Sequence, residues 1–138
     1  MRRVEKKYSD AIEWLDSLNQ NKIIPGLERI AKLMNILENP QKKLKLIIIG
    51  GTNAKGSTCL NLNHNLTKNR LRIGCFTSPH IHSVRERIRI GKELINKDEF
   101  TDVLNLLRDI INEHEIEATY FEILTAAAYQ YFHIRKVD

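Results

Sequence analysis

The sequence predicts an α/β fold, a parallel sheet with flanking helices, and three observations carry that prediction. A short apolar run, Leu44–Ile49, reads as a buried strand. A glycine-rich turn, Gly50 to Gly56, follows at once, and a helix is expected from Ser57 to about Lys68. A second apolar run, Leu71–Phe76, then supplies another strand. Strand, helix and strand in that order make a βαβ unit, whose crossover sets the two strands parallel.

The flanking elements follow from periodicity. Tyr8–Asn21 is read as an amphipathic helix, with Ala11, Ile12, Leu15 and Leu18 on one face. Pro25 suits a first helical position, and Leu27, Ile30, Ala31, Met34 and Leu37 trace the next apolar face. Asn39-Pro40 closes that helix, because a residue before proline avoids the helical region. Arg85–Ile90 alternates apolar and charged residues, as an exposed strand does. Gly91 turns the chain so that Glu93–Ile95 pairs back. Asn96 caps a helix to about His114, and Thr119–Glu122 opens a last one to about Arg135.

Bulk properties exclude several classes. At 138 residues the chain fits one domain, and 42% hydrophobic residues suffice for a core. The net charge of +5 raises an anionic partner, but the basic residues are scattered. Without a basic stripe, a recognised motif or an aromatic platform, a nucleic-acid-binding domain is disfavoured. Cys59 and Cys75 form no CxxC pair and read as small hydrophobes in a reducing, cytoplasmic setting. The charged segment Met1–Tyr8 leads into no apolar run of signal length, and Leu46–Ile49 is far too short to span a membrane. A monomer is expected.

The turn after the first strand carries the chemistry. Glycines let a backbone approach phosphate, and a helix N-terminus offers free N–H groups and partial positive charge. Lys55 can neutralise β/γ oxygens, and the Ser57 hydroxyl can reach Mg²⁺. The order Lys55-Gly56-Ser57 departs from G-x-x-x-x-G-K-[ST]. A turn that binds nothing, with Ser57 as a plain N-cap, is the competing reading. Ser78-Pro79 is by itself a turn signal, and Thr119 with Glu122 is by itself a capping box. Phe121, Leu124 and Phe132 suit a core, and His80 and His82 suit a surface turn.

The segment Gly51-Thr52-Asn53-Ala54-Lys55-Gly56-Ser57-Thr58 resembles the G-T-N-G-K-G-[ST] loop of folylpolyglutamate and dihydrofolate synthases, relatives of the Mur ligases. Four more segments resemble that family in order: Gly26-Leu27-Glu28-Arg29-Ile30, Thr77-Ser78-Pro79-His80, Glu86-Arg87-Ile88 and Thr119-Tyr120-Phe121-Glu122. The resemblance implies a P-loop parallel sheet of Mur-ligase type, of which residues 1–138 would be the N-terminal part. It implies ATP-dependent joining of L-glutamate to dihydropteroate or tetrahydrofolate, through an acyl phosphate that the glutamate amine attacks. Residues 51–58 would hold ATP, Ser78 and Ser57 would hold Mg²⁺, and Thr119, Tyr120, Phe121 and Glu122 would line the pterin pocket.

Two departures stand out. Position 54 is Ala where the family has Gly, which strains the loop if φ is positive there. The chain is also much shorter than family members. It is expected to stop before the strand and the C-terminal domain that complete the active site, and to lack turnover alone. A nucleotide-binding remnant without chemistry is the alternative.

Overall fold

The computed structural model describes residues 2–18 and 23–138, with side chains from residue 4. Helix α1 (Arg2–Ser17) lays Ala11 and Leu15 against α4 (Lys97–Glu113), at 1% and 0% exposure. It starts earlier than its apolar stripe suggested; the predicted end at Asn21 and the start of the following break lie outside the described residues. Lys97 ties the two helices at their edge, with its ammonium 2.9 Å from Glu5 and 5.2 Å from the Tyr8 ring centroid.

Helix α2 (Glu28–Ile36) begins three residues after Pro25, not at it. Gly26 holds φ at +108°, outside the right-handed helical region, so the helix forms only beyond it. Leu33 and Met34 are its buried residues. Pro40 then opens a short 3₁₀ turn, Pro40–Lys43.

The run Leu44–Ile49 is not a strand. It takes no regular structure, and Leu46, Ile47 and Ile48 are 48%, 69% and 88% exposed. A strand exists only where neighbouring backbone accepts its hydrogen bonds, and no described segment pairs with this one. Apolar composition alone cannot supply that partner. The sheet among the described residues is accordingly antiparallel, not parallel: β1 (Gly74–Phe76), β2 (Ile88–Ile90) and β3 (Glu93–Leu94), in that order. Gly74 lies opposite Ile90, Cys75 opposite Arg89, and Phe76 opposite Ile88. Gly91, at φ +57°, turns the predicted hairpin between β2 and β3. Gly74 is needed for packing, because a Cβ there would meet the Phe132 ring at 2.7 Å.

The stretch before β2 also differs from expectation. Val84–Arg87 forms a 3₁₀ turn, and only Ile88–Ile90 is strand. Ser83 and Glu86 form a reciprocal capping box there, which satisfies the backbone locally before pairing begins. Val84, Arg87 and Ile88 are buried rather than exposed.

Helices α4 and α5 (Tyr120–Ile134) form the centre of the core. Phe100, Leu104 and Leu107 of α4 meet Ile123, Leu124 and the small residues Ala126 and Ala127 of α5, each at 0% exposure. Both helices start where the sequence predicts. The Asn96 side chain accepts from the Glu99 N–H, and Thr119 and Glu122 cap α5 reciprocally. No helix of the described residues is long and apolar enough to cross a membrane.

Candidate functional site

The glycine turn ends in α3 (Lys55–Lys68), two residues earlier than predicted. Its N-cap is Ala54 rather than Ser57, at φ 59° and ψ 9°. Alanine has no side-chain acceptor, so no cap bond closes the first N–H groups of α3. Such a start is an open anion site: donors aimed outward at the positive end of the dipole. The first turn carries no acidic residue to occupy it. The Ser57 hydroxyl donates to the Ala54 carbonyl at 3.0 Å, and the Lys55 ammonium donates to the Gly51 carbonyl at 2.6 Å. Gly51 adopts φ +143° to make that bend. Residues 51–58 are all exposed.

Between this turn and α5 runs an open groove of about 480 Å³. Lys55 and Gly56 line one end, Thr77 and Ser78 extend from β1, and Phe121 stands on the far wall. Phe121 is 53% exposed, with its ring centroid 6.0 Å from that of Phe76; it is not a core residue. Leu124 and Phe132 are core, as expected.

The other three members of the Thr119–Glu122 segment turn away from the groove. Thr119, Tyr120 and Glu122 are 6%, 3% and 9% exposed and do not line it. Glu122 accepts from the Thr119 N–H at 2.8 Å and pairs with Arg29 of α2 at 3.2 Å. Arg29 also donates to the Ile24 carbonyl at 2.7 Å, which anchors the chain before α2. Arg87 sits 5.6 Å from the Tyr120 ring centroid and donates to His80 Nδ1 at 2.9 Å. Burial pushes the Tyr120 phenol above its ordinary pKa, while Arg87 opposes the rise. His80 is therefore half-buried and partnered, whereas His82 is exposed as predicted. Among the described residues no three His, Cys, Asp or Glu side chains form a metal cluster.

Segments that the sequence presents separately thus converge. Arg29 meets Glu122, and Arg87 joins His80 to Tyr120, linking four of the five singled-out stretches. Sequence reading missed the roles of Arg29, His80 and Arg87, although each lies inside a stretch it had marked. Only their charge-bearing side chains beside buried apolar residues could have signalled them.

Glu86 organises the remaining loop. Its carboxylate accepts from the backbone N–H groups of Ile81, His82 and Ser83 at 2.8, 3.0 and 2.8 Å. These bonds, the one from Ile81 foremost, lower its pKa from 4.5 to about 2. A depressed acid contributes stability above its ordinary value and loses it as pH falls through the folded one. The loop 81–83 is therefore expected to keep its amide protection at pH 3–4 and to loosen near pH 2. NMR titration of the Glu86 carboxyl would check this; a midpoint near 4 would show that the three bonds are not formed.

In this α/β chain a glycine turn, an uncapped helix start and one lysine thus open onto a single groove. No family model matches the chain. Individual relatives do. It is 38% identical over 108 residues to the dihydrofolate synthetase of Saccharomyces cerevisiae, covering 78% of this chain and 25% of the relative. It is 35% identical over 136 residues to the dihydrofolate synthase/folylpolyglutamate synthase of Bacillus subtilis, covering 95% and 32%. Its fold matches the folylpolyglutamate synthase of Thermotoga maritima with a TM-score of 0.89 and 35% identity, over 97% of this chain and 32% of that one. Other matching structures include a Mycobacterium tuberculosis folylpolyglutamate synthase complexed with ADP and an FPGS–AMPPCP–folate complex. The chain belongs to the folylpolyglutamate/dihydrofolate synthase family, and spans a third or less of the length of these relatives.

Proposed function

We propose that these 138 residues are the N-terminal part of the ATP-binding domain of a ligase that joins L-glutamate to dihydropteroate or tetrahydrofolate. The observation that carries the reading is the shared groove, where Lys55 and Gly56 of the turn meet Ser78 and Phe121. ATP would supply the phosphoryl group that activates the pterin-bearing carboxylate as an acyl phosphate, and the glutamate amine would displace it.

Gly51–Thr58 would cradle the phosphates through the N–H groups at the start of α3, with Lys55 as the charge partner. Ser57 and Ser78 fit Mg²⁺, because a hydroxyl is a hard donor and this ion keeps phosphate oxygens and waters as its other ligands. Phe121 would pack on the flat pterin, while Thr119, Tyr120 and Glu122 would hold the segment that presents it. In the parallel P-loop sheet of this reading, Leu44–Ile49 would become a strand by pairing with backbone that it lacks here. The protein would act in the cytoplasm as a monomer on small molecules, without nucleic-acid or membrane partners.

A second reading is favoured by the length covered in the relatives: the 138 residues taken alone bind nucleotide and catalyse nothing. Calorimetric titration with Mg-ATP tests the nucleotide site that both readings share, and assay of ADP release with folate and glutamate tests the second, which turnover would overturn. Sub-millimolar binding without turnover is the expected result for this polypeptide. Absence of binding by a folded chain would overturn the nucleotide assignment.

Ala54 sharpens the test. A left-handed alanine costs about 1–2 kcal/mol, part of which glycine recovers despite its greater freedom when unfolded. Ala54→Gly is expected to bind Mg-ATP about 3- to 10-fold more tightly, corresponding to about 1 kcal/mol. Unchanged affinity would mean that the free loop, already at φ 59°, carries the same strain as the bound one, and would overturn this prediction.

A further inference from the structure

The sequence presents the two cysteines as small hydrophobes, yet the fold brings them together. Cys59 on α3 and Cys75 on β1 have their sulfurs 2.8 Å apart, with both thiols free. They are 16 positions apart in sequence and belong to different elements. Cys59 is half-buried, Cys75 is 3% exposed, and both line the open groove. Cys59 lies one helical turn beyond Lys55, on the same face of α3.

We propose that Cys59 and Cys75 are a reversible disulfide site, closed by small-molecule disulfides of the glutathione class, and that the bridge staples the first turns of α3 to the sheet. The inference stands on the thiol geometry and does not depend on the nucleotide reading. Closure runs in two exchanges. The Cys59 thiol, the more accessible one, loses its proton and its thiolate attacks a sulfur of the small disulfide. One small thiolate leaves and takes up a proton, and a mixed disulfide remains on Cys59. The Cys75 thiol then loses its proton to solvent and attacks the Cys59 sulfur, expelling the second small thiol. In sum, two protein S–H bonds and one small disulfide become one protein S–S bond and two small thiols.

The order of attack follows from burial. Desolvation, with the neighbouring Cys59 second, pushes the Cys75 thiol up to about 12. Cys75 is thus a poor first nucleophile, but a mixed disulfide held beside it gives it a target at very high local concentration. A closed bridge constrains the unfolded chain, which is the main way such links stabilise.

The test uses the 138-residue chain, oxidised glutathione, alkylation of remaining thiols with a maleimide, and intact-mass measurement. Wild type is expected to lose two hydrogens, carry neither glutathione nor maleimide, and return to two alkylatable thiols after reductant. Cys75→Ala is expected to hold one glutathione on Cys59, and Cys59→Ser to leave Cys75 unmodified. Thermal unfolding of the oxidised chain is expected to shift upward by several degrees. A wild type that keeps glutathione on Cys59, links to a second chain, or stays fully reduced in excess oxidant would overturn the site. An unshifted or lowered midpoint in the bridged chain would overturn the stapling.

Discussion

Replacing Glu122 by alanine is expected to destabilise the chain by about 2–3 kcal/mol. Two losses add. The capping box at the start of α5 disappears, which costs about 1 kcal/mol for a typical cap. Arg29 is also left without its carboxylate at a position where its side chain is only 19% exposed. A fully buried partner would raise the loss to about 3–5 kcal/mol, but the remaining exposure of the pair screens part of it. Arg29 keeps its bond to the Ile24 carbonyl, which also limits the damage. The measurement is denaturant unfolding of Glu122→Ala, Arg29→Ala and the double variant. A coupling energy above about 1 kcal/mol is expected for the pair. Additive single effects would show that Arg29 and Glu122 merely lie near each other. The consequence for the groove is direct, because Glu122 fixes the turn of helix from which Phe121 projects.

That pairing marks the boundary of what sequence can reveal. The N-cap at Asn96, the capping box at Thr119 and the turn at Gly91 were legible because each rests on residues within one local stretch. The glycine turn and the helix behind it were legible for the same reason, down to the left-handed backbone at Ala54. That Leu44–Ile49 takes no strand was not, because strandness belongs to a pair and nothing within the stretch tells whether a partner is present. The antiparallel register of β1 on β2 was hidden likewise, since Leu71–Phe76 offers no local sign of which neighbour it takes. Phe121 was assigned to the core because a phenylalanine usually is; its exposure follows from Glu122 and Tyr120 claiming the inward face of α5. Cys59 and Cys75 looked inert for want of a CxxC spacing, and only the packing of α3 on β1 reveals them as a pair.

Lys55→Ala is expected to weaken Mg-ATP binding about 10- to 100-fold while leaving stability within about 0.5 kcal/mol of wild type. The size follows from a charge-assisted bond to phosphate, worth about 1.5–3 kcal/mol. The small stability effect follows from exposure: the Lys55 ammonium bonds only the Gly51 carbonyl across the mouth of the turn. That bond gives a rival account, in which Lys55 is a staple of the loop and nothing more. The two accounts predict opposite patterns. A staple would lower the unfolding midpoint when removed and leave nucleotide affinity largely intact. A phosphate ligand would do the reverse, and its binding would weaken as salt rises. Lys55→Arg separates them further, because a broad planar fork replaces a compact ammonium. As a staple, arginine can still donate to the Gly51 carbonyl and would restore stability. As a phosphate ligand at the tight start of α3, where Gly56 follows at once and Ala54 is already left-handed, it would restore only part of the affinity.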